Sequence, residues 1–376
     1  MSHLVVSDPL GGLHVLDFSR VLAGPFATMM LADLGANVVK VERPGIGDET
    51  RAWGPPYNDV GEATYFQAVN RSKRSVVLDL QDREDLREAR ALAARSDVIV
   101  ENFRPGVMDR VGLGYDDLCA AAPSLIYCSI TGFGSGEGKA LPGYDLLVQA
   151  LGGLMSITGT PDAEPQKVGV ALVDVLAGLF ATVGILAALR HRDRTGHGQR
   201  VDVDLLSSLL AGLVNQGSAY TVAGVVPRRM GNAHPSIAPY ELMRTADGDV
   251  VLAVGNDRQF ATLCTVLDRP ELARDARFAR NGDRVRHRNQ LRVELERELA
   301  RRPAEDWARE LTAVSVPAGV VNDVGAAFAL AEALGLDPIV EIPRENRPPV
   351  RLTRNPIRLS ETPVTYRGPP PSLPHS

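Results

Sequence analysis

Over roughly its first 130 residues the chain repeats one pattern, a short apolar run followed by a helix-like stretch, and this narrows its fold more than any other feature. Leu13, Val15 and Leu16 read as a strand. Pro25 to Leu34 reads as a helix opened by proline, and Ala36 to Val41 as a strand that ends in Glu42-Arg43-Pro44. The cycle returns with Ser75 to Leu80, a charged helix near Arg83 to Ser96, Asp97 to Val100, and Leu125 to Ile130. Strands alternating with helices at this spacing predict an α/β fold, a parallel sheet with helices on both faces. Ligands of such sheets sit at the carboxyl ends of the strands. Those ends carry Ser19-Arg20-Val21-Leu22-Ala23, Glu42-Arg43, Glu101-Asn102-Phe103-Arg104 and the glycine-rich Gly132 to Gly138.

A further strand-helix unit spans Arg200 to Val214, and then the pattern changes. Val251 to Val254 follows the turn Ala246-Asp247-Gly248-Asp249 as one arm of a hairpin, and an arginine-dense helical region runs from about Phe260 to Val314. The expected organisation is a large α/β domain of residues 1–215 with 330–367 and a smaller α+β domain of 226–325. A disordered tail is expected over 368–376, where GPPPSLPHS has little to bury.

The stretch from Val168 to Leu189 holds a single charged side chain, Asp174. An isolated carboxylate among aliphatic residues costs several kcal/mol, roughly, unless something compensates it. The run is long enough for a membrane span, but Gly169, Gly178, Gly184 and Asp174 dilute it and no second such run exists. Val168 to Val173 reads as a strand end and the sequence from Asp174 onward as a buried helix, stopped at Thr195-Gly196. Asp174 then fits an N-cap, kept ionised by the helix dipole. A carboxylate held so is also able to attack an electrophile.

Composition bounds the alternatives. A formal charge of -5 gives no global attraction to nucleic acid or an anionic membrane, so an anionic ligand needs local cations. The arginines between Arg269 and Arg309 are interleaved with carboxylates, and Leu291, Leu295 and Leu299 recur every fourth residue, as in a solvated amphipathic helix. Cys119, Cys128 and Cys264 are too few and scattered for a disulfide framework or a zinc site, and the histidines lack metal-ligand spacing. The opening MSHLVVSDPLGG has no secretory pattern, so a cytoplasmic location is expected. No G-x-G-x-x-G follows the first strand, and neither a Walker motif nor a G-x-S-x-G elbow occurs. His234, in Gly231-Asn232-Ala233-His234-Pro235, reads as a turn residue.

Six stretches, from GLHVLDFSRVLAGPFATMMLADLGANVVKVERPGIGDETR through NRSKRSVVLDL, VENFRPGVMDRVGLGY, PGYDLLVQA and GVALVDVLAGLFATVGILAAL to TGHGQRVDVDLL, resemble in order the class III CoA-transferases, the formyl-CoA or CaiB/BaiF type. The resemblance implies a large Rossmann-like parallel-sheet domain, a smaller α+β domain and an interlocked homodimer. It implies that coenzyme A passes between an acyl-CoA donor and a carboxylic acid acceptor, possibly a dicarboxylate such as succinate or glutarate. It further implies that the coenzyme A thioester is a substrate and that no cofactor is bound permanently.

Asp174 falls at the family's nucleophile, which works through an aspartyl anhydride and thioester. Val21, Leu22 and Ala23 match a loop lining the coenzyme site, with Leu22 in place of a glutamine. Arg43 and Arg110 match phosphate-side arginines and Leu78 an adenine contact, while Gln81 stands where a lysine is expected. Asn102, Phe103 and Arg104 match a coenzyme-binding turn, and Tyr144 and Asp145 a pair near the thioester. Arg228 and Arg229 read either as solvated loop arginines or as partners for a distal carboxylate of the acceptor. Two rivals share these residues: an α-methylacyl-CoA racemase, which typically has histidine where Tyr144 stands, and a non-catalytic acyl-CoA-binding protein in which Asp174 only caps a helix.

Overall fold

The computed structural model describes residues 8–374. The reading of a leader-free N-terminus rests mostly on Met1 to Ser7, outside the described residues, as do the final His375 and Ser376. The chain divides into two compact units, one of residues up to 154, 167–225 and 337 onward, the other of 155–166 and 226–336. The excursion at 155–166 has no marker in the sequence, and the second unit runs to 336 rather than 325.

The first unit is built on six parallel strands: β1 (His14–Asp17), β2 (Asn37–Glu42), β3 (Lys73–Val77), β4 (Val98–Glu101), β5 (Ile126–Thr131) and β6 (Arg200–Asp204), in the order β3-β2-β1-β4-β5-β6. Successive side chains go to opposite faces, and both faces are apolar, as a parallel sheet covered on two sides requires. Val15, Val38, Val98, Val100, Ile126 and Cys128 pack on one face, and Leu16, Ile99 and Tyr127 on the other. The first face is covered by α1 (Ala23–Asp33), and the second by α2 (Arg83–Ala93) through Ala89 and Ala93. Later in the chain come α3 (Asp145–Leu151), α4 (Leu172–Thr195), α5 (Leu205–Gly212) and α6 (Val214–Ala223).

The helix α4 is long and apolar enough to cross a membrane. In this fold Val173, Ala177, Ala181, Ile185 and Ala188 are instead fully buried in the first core. Gly178 permits its close approach to α1, because a Cβ there would stand 2.7 Å from the carbonyl oxygen of Ala23.

A hairpin of β7 (Tyr240–Arg244) and β8 (Asp249–Ala253), extended by β9 (Ala318–Val320), forms the antiparallel sheet of the second unit. Its core gathers Leu252 with Phe260 and Leu263 of α7 (Asp257–Val266), Leu291, Leu295 and Leu299 of α8 (Arg288–Leu299), and Trp307 and Leu311 of α9 (Ala304–Ala313). Two arginines of α8 are paired with carboxylates, Arg292 with Glu241 and Glu296 and Arg297 with Glu294, while Arg288 donates to the carbonyls of His234 and Pro235. One more helix, α10 (Val324–Ala333), closes this unit.

The first unit ends with the hairpin β10 (Ile339–Arg344) and β11 (Arg347–Thr353). The expected disorder from Gly368 does not hold over the next few residues. The Gly368 carbonyl accepts from the Ser72 amide at 2.8 Å, and that of Pro371 from Arg51 at 3.0 Å. A proline-rich segment lacks N–H groups to satisfy, so its carbonyls are enough to dock it.

Candidate active site

The strand order reverses between β1 and β4, and such a reversal opens a crevice at the carboxyl ends of the strands. Two loops meet there. The Arg20 amide donates to Asn102 Oδ1 at 2.8 Å, and Asn102 Nδ2 donates back to the Arg20 carbonyl at 2.7 Å. Val21 follows at φ +69°, the left-handed region that costs a β-branched residue most.

Buried charges hold this loop. Lys40 Nζ donates to the Ser19 carbonyl at 2.7 Å and pairs with Asp48 at 2.9 Å, while the Asp48 carboxylate accepts from the Val21 amide at 3.3 Å. Asp17 accepts from the Ser19 amide and hydroxyl and from Lys73. Burial pulls the Lys73 ammonium down to about 8, with Asp17 acting against that fall. Four fully buried charges in alternating sign compensate one another, as buried ions must.

Two neighbouring cavities open above these loops. The first is lined by Val21, Leu22, Ala23, Asn102, Phe103, Arg104, Tyr144 and Asp174, and by glycine-rich chain between Gly132 and Gly143. The second is lined by Arg43, Leu78, Gln81 and Arg110. Arg20 and Phe103 line both. Of the twelve residues matched to the family's nucleophile and coenzyme contacts, the structure therefore gathers eleven into two adjoining spaces, one at Asp174 and one rich in arginine. The two ends of the glycine-rich loop touch at a neck, where a Cβ on Gly132 would stand 2.4 Å from the Gly143 Cα.

The twelfth, Asp145, lines neither cavity and does what was expected of Asp174. Helix α4 begins at Leu172, not Asp174, and its N-cap Ala171 has no side chain to offer. Asp145 Oδ1, from the start of α3, accepts instead from the amides of Val173 at 2.8 Å and Asp174 at 3.3 Å. Gln149 steadies that carboxylate with a 2.6 Å bond and also accepts from the Val168 amide. No strand forms over 168–173. The capping role and the dipole-held ionisation expected of Asp174 are both corrected.

Freed from capping, the Asp174 side chain is half-buried on the cavity wall. Burial, and then the neighbouring Asp145 charge, push its carboxyl up to about 7. Two carboxyls at one helix start thus do different work, one anchoring amides and the other titrating near neutrality.

Sequence reasoning passed over several lining residues. Arg20 was in view only as part of a strand end, and Glu49, Trp53 and Lys139 carried no local signal. Tyr65, edge-on to Trp53 at 5.5 Å, has its phenol pushed up by burial and then by Asp174 and Asp145. In the second unit Arg229 is committed to the carbonyls of Thr160, Pro161 and Ala163, so of the expected pair Arg228 has the freer guanidinium. His234 is a turn residue, its Nδ1 accepting from the Ser236 amide and its ring against Tyr240.

Fold and site together define a class: an α/β enzyme with an arginine-lined cavity opening beside a second one that holds a poised carboxyl. The chain belongs to CoA-transferase family III, whose model matches residues 10–375. It is a class III CoA-transferase, moving coenzyme A between an acyl-CoA and a carboxylic acid.

The chain is 43% identical over 371 residues to the succinate–glutarate CoA-transferase of Agrobacterium fabrum, covering 97% of this chain and 93% of that one. It is 43% identical over 343 residues to the succinyl-CoA:glutarate CoA-transferase of Mus musculus, covering 91% and 78%. A crystal structure of a CaiB/BaiF family protein from Brucella suis superposes with a TM-score of 0.87 at 43% identity, covering 98% of this chain and 97% of that one.

Proposed function

We propose that this enzyme transfers coenzyme A between dicarboxylic acids, from a donor such as succinyl-CoA to an acceptor such as glutarate, with Asp174 as the nucleophile. The observation that carries the reading is the uncapped, near-neutral Asp174 carboxyl on the wall of a cavity that adjoins an arginine-lined one. The nucleotide end of coenzyme A fits the second cavity, where Arg43 and Arg110 meet phosphate and Leu78 the adenine. Its pantetheine arm passes Arg20 and Phe103, bringing the thioester to Asp174 beside Val21, Leu22, Ala23, Asn102, Arg104 and Tyr144. Asp145 positions the nucleophile rather than touching coenzyme.

The Asp174 carboxylate adds to the thioester carbonyl and expels the thiolate, leaving an acyl-aspartyl anhydride. The thiolate attacks the aspartyl carbonyl of that anhydride, which releases the donor acid and leaves an aspartyl thioester. The acceptor carboxylate displaces the thiolate to form a second anhydride. Attack by the thiolate on the acceptor's acyl carbon then gives the new CoA ester and restores Asp174. No proton is consumed, and thioester energy is conserved provided water stays out.

The amides at the start of α4 are engaged by Asp145, Val170 and Ala171 and do not serve the oxyanion. The main chain of Leu22 and Ala23, at the start of α1 and on the cavity wall, is the better candidate.

Coenzyme A is on this reading a substrate only, with no permanently bound cofactor, and the enzyme is a cytoplasmic interlocked homodimer. Phe180 and Val183 on the outer face of α4 are 43% and 62% exposed, and Val222 of α6 is 84% exposed, an apolar surface suited to a second copy. The test is mass spectrometry of succinyl-CoA mixed with isotope-labelled glutarate. Labelled glutaryl-CoA forming in step with succinate is expected. Hydrolysis alone, or α-proton exchange without transfer, would overturn the proposal.

A further inference from the structure

Glu49 stands where the two cavities meet. It belongs to a short turn, Glu49–Ala52, whose base is locked on both sides. Asp48 pairs with buried Lys40, and Arg51 holds Glu42 through two 2.7 Å bonds. Between these anchors Glu49 reaches two arginines with one oxygen. Its Oε1 accepts from Arg20 at 2.6 Å and from Arg43 at 2.9 Å, and the Arg20 guanidinium lies 4.9 Å from the centre of the Phe103 ring. Arg20 and Arg43 both line the arginine-rich cavity, and Glu49 itself lines the cavity of Asp174. Its Oε2 is buried without a hydrogen-bond partner.

A carboxylate beside cations that must bind phosphate weakens their field. It is worth that loss only if it fixes geometry, because two long arginine side chains otherwise lose much rotamer freedom when a ligand arrives. Sharing one oxygen satisfies part of each guanidinium fork and leaves the remaining N–H groups set in one direction.

Building on the coenzyme reading above, we propose that Glu49 is a positioning residue that yokes Arg20 and Arg43 into a preformed clamp for the diphosphate of coenzyme A. The unpartnered Oε2 completes its bonding when a hydroxyl or amide N–H of the coenzyme arm passes the junction.

The test is titration calorimetry of free coenzyme A and of its adenosine-bisphosphate fragment with the unaltered enzyme, Glu49→Ala and the near-isosteric Glu49→Gln, together with steady-state kinetics. Glu49→Ala is expected to weaken coenzyme A binding and raise the donor KM by about tenfold, the scale of one charge-assisted hydrogen bond. Glu49→Gln falls between, kcat changes much less than the donor KM, and the KM for the carboxylate acceptor stays the same. Should Glu49→Ala fail to fold, Glu49→Gln carries the test. Unchanged or tighter coenzyme binding in the variants, with normal binding by the unaltered enzyme, would overturn the clamp and leave a counter-charge. Failure of the unaltered enzyme to bind either probe would overturn the coenzyme reading and the clamp with it.

Discussion

Asp174 and Asp145 have the same side chain and share one helix start, and what separates them is which hydrogen bonds each is given. Asp145 holds two main-chain amides and a glutamine. Asp174 is left with burial and a negative neighbour, both of which favour its protonated form. Because the ionised form is the nucleophile, kcat/KM for the donor should climb with pH through about 7 and level off above it. Asp145→Asn keeps an oxygen for the amides but removes the charge. The limb should therefore move to lower pH, though not to the ordinary carboxylate range, since burial remains the larger cause. A pH profile identical in the two enzymes would show that Asp145 does not tune Asp174.

At the scale of elements, the strands were readable because parallel strands covered on two faces are short apolar runs; most observed limits fall within a residue or two of the expected ones, and β3 ends three residues before the expected Leu80. The start of α4 was not. Its cap comes from Asp145, 29 positions before Asp174, and a local pattern names Asp174 because it is the acidic residue nearest the apolar run. The same limit hid Glu49, whose partners Arg20 and Arg43 lie on two different loops. It also hid the strained Val21, held by Asp48 and the neighbouring Lys40 and Asn102 contacts. The docked tail escaped notice for another reason: composition reports what a segment can bury, while Pro371 is retained through a carbonyl. The expected site residues rest on stretches with a family likeness, added to a rule about strand ends. Residue type alone had left Asp174 divided between cap and nucleophile.

For the whole molecule, a net charge of -5 and a cavity lined by Arg20, Arg43 and Arg110 are compatible because recognition is local. The exposed apolar residues argue at this scale too. Light scattering on the purified enzyme should give twice the 40.4 kDa chain mass, and a stable monomer would contradict the proposed homodimer.

Every step of the proposed transfer passes through a bond to one carboxyl group, so that bond is the thing to catch. Mass spectrometry of peptides after incubation with an active acyl-CoA donor and hydroxylamine measures it directly. The account predicts a hydroxamate on the peptide bearing Asp174, absent without donor and absent in Asp174→Asn. An unmodified Asp174 during continued transfer, or normal turnover by Asp174→Asn, would contradict it.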